Sequence, residues 1–562
     1  MNPQPPVTSM RIEALTSSGA EGALAVFPTW GERLADLKQR AAEIDWTPWA
    51  IVALGAILRF LFLGMKPPHF DEGINGWFVD QMVKNGFYRY DPTNYHGPLH
   101  FYVLFLAQTL LGRNIWALRL PVALVSAVCV HLTMKFEPFV GRNVSRLAAL
   151  AMAVSPGFVF YGRYSIHEIW LQLFSMLFIL GLVGLWRRGT ANYLWCLGMG
   201  LAGMILTKET YIIHIGCAVL AALVTWISHL LNRVPNARSA PQTWTYLDLL
   251  LVVAVGAAAI VFFYSGTFFN WPGLKGLYLT FATWSKTGSN GNGHEKPWYY
   301  FFGLIARYEL PVLFGLLFSF YCPFIKNITL RYLAVYGVGT LVAYSIVHYK
   351  TPWCIIAIVW PLLFVFGAVL LIVPTKYRLS TTTSGGSAPK DTDDASMARL
   401  MVGAYYTSLG LLLCASLGMS IWLNYFRCST FEEPYVYVQT YNDIFKLTRP
   451  LLTLAKRDPT NYQLTGHLIR GSTYPFPWIL GDFTRVGYYE NGNMPDKVDG
   501  DFLIVQQDKI ADVERKLHGS YYTEPLTIRP YQDTSKLYLS AKVFQSFYPD
   551  RGPDFTGKPA TP

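Results

Sequence analysis

The sequence is poor in charge. Only 14% of its 562 residues are Asp, Glu, Lys or Arg, whereas a soluble globular chain carries about a quarter. With 52% apolar and 16% aromatic residues, this deficit argues against an ordinary soluble protein and indicates a surface that faces membrane lipid. The net charge of +11 does not indicate a nucleic-acid partner, because Lys and Arg are scattered between apolar runs rather than gathered in a patch.

Several common motifs are also missing. The seven cysteines form no CxxC pair and no zinc-like spacing, and almost all lie inside apolar runs, which argues against a disulfide framework. The sequence has neither an internal repeat nor a Gly-rich phosphate loop. Because the start of the chain lacks the pattern of a cleavable signal, we expect residues 1–45 to be a polar cytoplasmic segment before an uncleaved membrane anchor.

Long apolar runs are what the sequence has instead. A helix that crosses a bilayer needs roughly 20 apolar residues. Eleven runs fit this length: 47–64, 115–134, 143–160, 167–186, 191–206, 209–230, 246–266, 299–323, 331–348, 353–373 and 400–423. A shorter run at 98–112 contains His100 and Gln108, and we expect it to lie along the membrane interface.

The charges of the loops predict the side that each one faces. If 98–112 does not cross and the N-terminus is cytoplasmic, every inside loop carries at least two basic residues, as the positive-inside rule requires. If 98–112 crossed, Arg187 and Arg188 would face outward. We therefore predict a multi-pass domain of the inner or plasma membrane at 46–424. Within it, the Ser-, Thr-, Gly- and Asp-rich stretch 374–399 is predicted to be a flexible cytoplasmic loop.

Beyond residue 425 the composition becomes polar and rich in Tyr. The stretches "YVYVQT" at 435–440 and "DFLIVQQ" at 501–507 predict strands, while 442–456 and 508–517 predict helices. We expect residues 425–562 to form a small extracytoplasmic α/β domain with a loose tail.

Two adjacent carboxylates, Asp71 and Glu72, follow the first predicted span in "PPHFDEG". They suit the start of a helix, where acids favour the positive end of the dipole, and this interpretation stays open. The segment 65–114 is nevertheless too long for a passive turn. Its apolar residues recur at helical spacing over 73–86, which predicts an interfacial amphipathic helix.

Further ionisable residues fall in other loops of the same predicted outer face. They are Arg163, Lys208, Lys350, His96, His167, His348 and Glu168. Arg163 and Lys350 also suit anchoring in lipid headgroups, and Lys208 suits a local ion pair with Glu209. Together, acids and cations at the ends of spans fit a lipid-linked sugar phosphate, whose tail lies in the bilayer while Arg or Lys binds its phosphate. A carboxylate then serves as general base for an acceptor hydroxyl.

The order of several motifs resembles a known family. "HFDEG", "HGPLHFY", "WALRLPVAL", "GRNVSRLAALAMAVSPGFVFYGRYSIHE" and "LTKE" resemble the C-type (GT-C) glycosyltransferases that use polyprenyl-phosphate sugars, such as protein O-mannosyltransferases and the lipid A aminoarabinose transferase. "HYKTPW", "EEPYVYVQT" and "TYPFPWIL" are similar to a branch described as flippase-activity-associated in archaea and bacteria. One departure is Gly97, which precedes Pro98 where the aminoarabinose transferases have Lys.

The resemblance implies an all-α polytopic GT-C fold and an inverting transfer of a sugar from a polyprenyl phosphate to a lipid, glycan or protein acceptor. It assigns the general base to Asp71, with Glu72 as a supporting carboxylate. Glu168 or His167 matches a second acidic position. For the donor phosphate the candidates are Arg163, Lys208 and Lys350. His96 and His348 are candidates for contacts with phosphate, acceptor or a divalent metal.

An alternative function is a lipid-linked glycan transporter or flippase-associated factor without transferase activity. Such a protein needs a polar path through the bilayer. Apart from His214, few ionisable residues lie within the predicted spans, and the acids lie near span ends, which favours the transferase. A glycan-binding receptor with a degenerate transferase domain is a third alternative.

Overall fold

The computed structural model describes residues 44–94, 96–231, 241–290, 293–321, 325–371, 392–490, 492–530 and 532–558. The contacts divide the chain into two units, 1–47 and 48–562. Nearly all of the predicted N-terminal segment 1–45, and the predicted loop 374–399 up to residue 391, lie outside the described residues.

Helices dominate the chain up to Ile421. They are α1 (Thr47–Phe60), α2 (Phe70–Asn85), α3 (Leu99–Leu111), α4 (Ile115–Met134), α5 (Glu137–Val140), α6 (Arg142–Val154), α7 (Pro156–Tyr161), α8 (Glu168–Arg188), α9 (Ala191–Ile205), α10 (Tyr211–Leu231), α11 (Tyr246–Tyr264), α12 (Gly276–Asn290), α13 (Tyr300–Tyr308), α14 (Leu310–Ser319), α15 (Ile328–Ile346), α16 (Ile355–Gly367) and α17 (Thr392–Ile421). Each of the eleven predicted spans coincides with one or two of these helices. The helix predicted at 73–86 is α2.

Two of the predicted spans are broken at proline. Ser155 caps α7, whose first residue is Pro156, and Pro311 lies in the first turn of α14. Proline is tolerated at these positions because its missing N–H would have no helical partner there. The buried carboxylate of Glu309 joins the two breaks, since it accepts from the hydroxyl of Ser155 and from the amide of Gly157 at 2.7 Å.

By length and composition, six apolar stretches of the described chain can cross a membrane. They are Ile115–Val140, Glu168–Arg188, Tyr211–Leu231, Tyr246–Tyr264, Pro352–Leu371 and Arg399–Phe426. Shorter apolar helices accompany them at Thr47–Phe60, Leu99–Leu111, Ala191–Ile205 and Leu310–Ser319. Large apolar side chains such as Leu110, Leu231 and Leu250 are exposed, as expected for helices that contact lipid. The chain is therefore a multi-pass membrane protein, while the count of eleven crossings and their direction stay predictions.

A small sheet domain follows the last long helix. Its strands are β1 (Thr465–Ile469), β2 (Arg485–Tyr489), β3 (Phe502–Gln506), β4 (Ser520–Leu526), β5 (Ser535–Ser540) and β6 (Phe555–Thr556). The sheet order is β2-β1-β3-β5-β4-β6, with β2, β1 and β3 parallel and the remaining pairs antiparallel. Its helices are α18 (Phe445–Arg457), α19 (Phe476–Ile479), α20 (Ile510–Glu514) and α21 (Ala541–Phe544). These agree with the strand predicted at 501–507 and the helices predicted at 442–456 and 508–517.

Two details differ from the sequence prediction. Helix α17 begins at Thr392, inside the segment 374–399 that was predicted to be a loop. The strand predicted at 435–440 is wrong, because this segment forms turns rather than a strand. Its apolar side chains pack on membrane helices instead, with Tyr435 stacked on Tyr308 at a centroid distance of 4.4 Å. The second tyrosine of the segment, Tyr437, packs on Trp353, with ring centroids 5.8 Å apart.

The sheet domain rests on α2. A Cβ atom added at Gly73 would lie 2.6 Å from Pro475, and one at Gly76 would lie 2.4 Å from the ring of Trp478. Arg113 donates to the backbone carbonyl of Trp478 and forms an ion pair of 2.8 Å with Asp80 of α2. This close contact fixes how α2 is rotated relative to the sheet domain.

Candidate active site

A cavity of about 440 Å³ lies among α2, the start of α8, the connection between α9 and α10, the end of α15 and the sheet domain. The acidic, basic and imidazole side chains on its wall are Asp71, His96, His167, Glu168, Lys208, Glu209, His294 and Arg529. Apolar and aromatic side chains complete the wall, among them Ile74, Ile166, Ile213, Trp284 and Trp353. The cavity thus combines charge with an apolar lining, as a site for a sugar attached to a lipid requires.

Asp71 stands in the first turn of α2, with its side chain 30% exposed. The hydroxyl of Tyr164 donates to its Oδ2 at 2.8 Å. Nδ1 of His69 accepts from the Asp71 amide at 3.1 Å, so Nε2 of His69 carries the proton and donates to the carbonyl of Tyr437 at 2.7 Å. Burial lowers the pKa of His69 to about 4, which keeps this imidazole neutral. Asp71 is therefore fixed from behind while facing the cavity.

Glu72 points away from the cavity and is fully buried. Its two oxygens accept from Arg119 at 2.6 and 2.8 Å, and they also accept the amides of His69 and Ser165 at 2.9 and 3.1 Å. Burial alone would raise the pKa of Glu72, but the charge and hydrogen bonds of Arg119 outweigh it and lower the pKa to about 2. The predicted supporting carboxylate is thus placed as a structural ion pair behind the site.

Glu168 and Lys208 form a buried ion pair on the cavity wall. Glu168 opens α8, and Lys208 lies in the short connection between α9 and α10. Burial acts to lower the pKa of Lys208, but the nearby Glu168, Cys354 and Glu209 hold it well above its usual range. The structure therefore brings two of the predicted residues together and leaves a firmly protonated amine at the cavity.

Two predicted histidines also line the cavity. His96 lies 3.2 Å from Glu209, and its ring is tilted against that of His167 with centroids 4.6 Å apart. His167 is buried, and its ring also lies near that of His100, with centroids 4.5 Å apart. Within the described ranges, no group of three or more His, Cys, Asp or Glu side chains is arranged to hold a metal ion.

Three predicted residues do not line the cavity. The guanidinium of Arg163 donates to backbone carbonyls around the end of α1 and stacks on Tyr425. Lys350 donates to the carbonyls of Lys296 and Val347, and His348 is exposed. The structure places these residues in backbone contacts or at the surface rather than beside Asp71.

Sequence reasoning missed other residues of the site. Tyr164 lies inside the motif "GRYSIHE", between two residues that were singled out, so a signal for it existed. Arg119 likewise lies inside "WALRLPVAL". Arg529 comes from the sheet domain and lies over the ring of Phe70 at 3.8 Å, and nothing in the local sequence indicates this contact.

Comparisons with known proteins point to one group of enzymes. Residues 95–267 match the family model of dolichyl-phosphate-mannose-protein mannosyltransferase. The fold is similar to the crystal structure of ArnT from Cupriavidus metallidurans bound to undecaprenyl phosphate, with 15% identity and a TM-score of 0.58 over 88% of this chain and 98% of that one. The apo structure of the same ArnT matches with 16% identity and a TM-score of 0.55, at the same coverage. No curated protein matches the sequence.

These findings confirm the predicted fold class, a polytopic helical membrane protein with a small C-terminal α/β domain. At this level of identity the ArnT structures show the fold alone. The family match over residues 95–267 bears on the kind of activity. Together they agree with the resemblance seen in the motifs: residues 95–267 match a mannosyltransferase family model, and the chain has a fold similar to that of ArnT.

Proposed function

We propose that this protein transfers a sugar from a polyprenyl-phosphate donor to an acceptor hydroxyl on the outer face of the membrane, with inversion and with Asp71 as general base. The observation that carries this proposal is the contrast between two neighbouring carboxylates. Asp71 faces the cavity that Lys208 also lines, while Glu72 is buried in an ion pair with Arg119. The undecaprenyl phosphate bound to ArnT, a protein of the same fold, supports a lipid-linked donor.

Asp71 has the surroundings of a base. Because Tyr164 donates to Oδ2, the other carboxylate oxygen is available for the acceptor O–H. The acceptor proton passes to Asp71 as the acceptor oxygen bonds to the anomeric carbon. The bond from that carbon to the phosphate oxygen breaks on the opposite side, and its electrons leave with the polyprenyl phosphate.

Lys208 is the cation that we assign to the departing phosphate. The phosphate gains negative charge as the bond to the sugar breaks, and a protonated amine already fixed in the cavity stabilises that charge without reorganising. Glu168 holds the amine in place through the buried ion pair. In this proposal Glu168 is a positioning residue rather than a second base.

The test is sugar transfer by purified protein reconstituted with a labelled polyprenyl-phosphate sugar. Asp71→Asn should lower the transfer rate by about 10² or more, the usual range for loss of a general base. Asp508→Asn, at an exposed site of the sheet domain, is the control and should leave the rate unchanged. Normal transfer by Asp71→Asn would refute the assignment of the base. Movement of labelled glycan across the bilayer by the parent protein, without a new glycosidic bond, would favour the transporter.

A further inference from the structure

Arg529 is a buried cation of the sheet domain that lines the cavity. It follows β4, is 6% exposed, and its guanidinium carbon lies 3.8 Å from the ring centroid of Phe70, the residue before Asp71. Its Nη2 donates to the hydroxyl of Ser472 at 3.0 Å. Within the residues that the structure describes, its Nε has no acceptor and the side chain forms no ion pair.

Arg470 is a second buried cation of the sheet domain, in the segment that also holds Ser472, the hydrogen-bond partner of Arg529. It directly follows β1 and is 4% exposed. Its Nη1 and Nη2 donate to neutral oxygens of Ser535 and Gln532, at 3.2 and 2.9 Å. Its Nε, like that of Arg529, finds no acceptor in the described part of the chain. Both arginines are thus held in place by neutral groups.

Burying the two positive charges of Arg529 and Arg470 is energetically unfavourable. Burial lowers the pKa of Arg529 to about 10, with Asp71 opposing and Arg470 adding to this effect. Burial likewise lowers the pKa of Arg470 to about 10, so both stay protonated at neutral pH. Asp71 and Asp533 offset part of this effect, but neither carboxylate forms an ion pair with the arginines within the described residues, so a bound anion would offset the remaining cost.

From this arrangement we infer that Arg529 and Arg470 bind an anionic group, a phosphate or a carboxylate, of the acceptor. The inference rests on the proposed function, since it needs Asp71 to face the acceptor. Lys208, from the membrane helices, is placed for the phosphate of the donor, while Arg529 enters from the sheet domain beside the base. Arg470 also stands at the carboxyl end of parallel strand β1, the edge at which α/β sheets bind ligands.

The test measures binding to the full-length protein in lipid nanodiscs by calorimetry, with inorganic phosphate and undecaprenyl phosphate as separate probes. Arg529→Gln and Arg470→Gln should each lower the affinity for inorganic phosphate by about tenfold or more, since each removes charge-assisted hydrogen bonds. Binding of undecaprenyl phosphate should change by less than about twofold. Arg485→Gln, at an exposed position of β2, is the matched control and should change neither affinity.

The other outcomes overturn the inference. If Arg529→Gln binds phosphate as tightly as the parent, the arginines form no anion site. If the arginine variants bind both undecaprenyl phosphate and inorganic phosphate more weakly, the site belongs to the donor and the assignment to the acceptor is wrong. Arg529→Lys keeps the charge and should retain more phosphate affinity than Arg529→Gln. An equal loss in both would indicate damage to the fold and contradict a role for the charge.

The proposed function fails on different evidence. If sugar transfer survives Asp71→Asn, the assignment of Asp71 as the base is wrong. The measured affinities of the arginines for phosphate are not affected by that result. Lys208→Gln provides the complementary case. It should weaken the binding of undecaprenyl phosphate and leave the binding of inorganic phosphate to the arginines unchanged. Weakening of both probes by Lys208→Gln would show that the two probes share one site, which contradicts a separate acceptor site.

Discussion

At the scale of single residues, Asp71 and Glu72 are neighbours in one helix turn but point to different surroundings. Successive side chains on a helix point in directions about 100° apart. Asp71 therefore faces the cavity, whereas Glu72 turns into the protein toward Arg119. Glu72 also supports the proposed base, because it accepts the amide of His69, whose Nδ1 in turn accepts the Asp71 amide.

Glu72→Gln should destabilise the protein by about 3–5 kcal/mol, because it leaves Arg119 as an unpaired buried charge. Asp71→Asn, at a partly exposed position, should change stability far less. Chemical unfolding in detergent measures both. A Glu72→Gln protein as stable as the parent would show that the ion pair does not hold the site.

The same ion pair predicts a dependence of stability on acid. The pKa of Glu72 falls from its ordinary value of 4.5 to about 2 on folding, so its stabilisation is fully present above pH 4.5. It is lost as the pH falls from 4.5 through about 2, where the folded protein also takes up the proton. Thermal unfolding measured over this interval should show a fall in the midpoint that is smaller in Glu72→Gln. Equal slopes in the two proteins would contradict this assignment.

At the scale of elements, the contact between α2 and the sheet domain sets the geometry of the site. Gly76 has no room for a side chain, because the ring of Trp478 lies against it. Since α2 carries both Asp71 and Phe70, a shift of this helix moves the base and the ring beneath Arg529 together.

Gly76→Ala should therefore lower sugar transfer as well as stability, the latter by about 1–3 kcal/mol, as overpacking usually does. Gly303→Ala is the control, since a Cβ atom there meets nothing within 4 Å. Transfer rates and thermal midpoints of the two variants provide the comparison. A Gly76→Ala protein with normal transfer would show that the docking of α2 is not needed for the site.

Secondary-structure elements were predictable from the sequence where a single physical pattern, such as the length of an apolar run, determines them. Apolar length placed the membrane helices, and the motifs placed Asp71, Glu168 and Lys208 at one site. The segment 435–440 was not predictable, because its aromatic side chains contact other parts of the protein rather than a neighbouring strand, Tyr435 packing on Tyr308 and Tyr437 on Trp353. The side of α2 that carries Asp71 was equally hidden, since the packing of Gly73 and Gly76 against a distant domain sets it.

At the scale of the whole molecule, the cavity has walls from two parts of the chain. The membrane helices supply Asp71 and Lys208, while Val438 and Arg529 come from the segment after α17 and from the sheet domain. A site for a lipid-linked donor and a separately held acceptor needs both parts on one side of the bilayer. The predicted topology puts them on the outer side.

Cysteine labelling tests this topology. In a cysteine-free background, Lys516→Cys in the sheet domain should react with a membrane-impermeant maleimide in intact cells. Arg188→Cys, at the end of α8, should react only after the cells are permeabilised. Both positions are exposed, so burial does not prevent reaction. Labelling of Arg188→Cys in intact cells would reverse the predicted orientation.

The contribution of Val438 and Arg529 to the cavity also has a consequence for biosynthesis. Asp71 leaves the ribosome early, whereas Val438 and Arg529, which line the same cavity, are made late. The nascent chain therefore carries its base into the membrane without a finished site. If the proposed function is right, transfer can begin only after Arg529 has been synthesised and the sheet domain has folded, so an incomplete chain would not consume the donor.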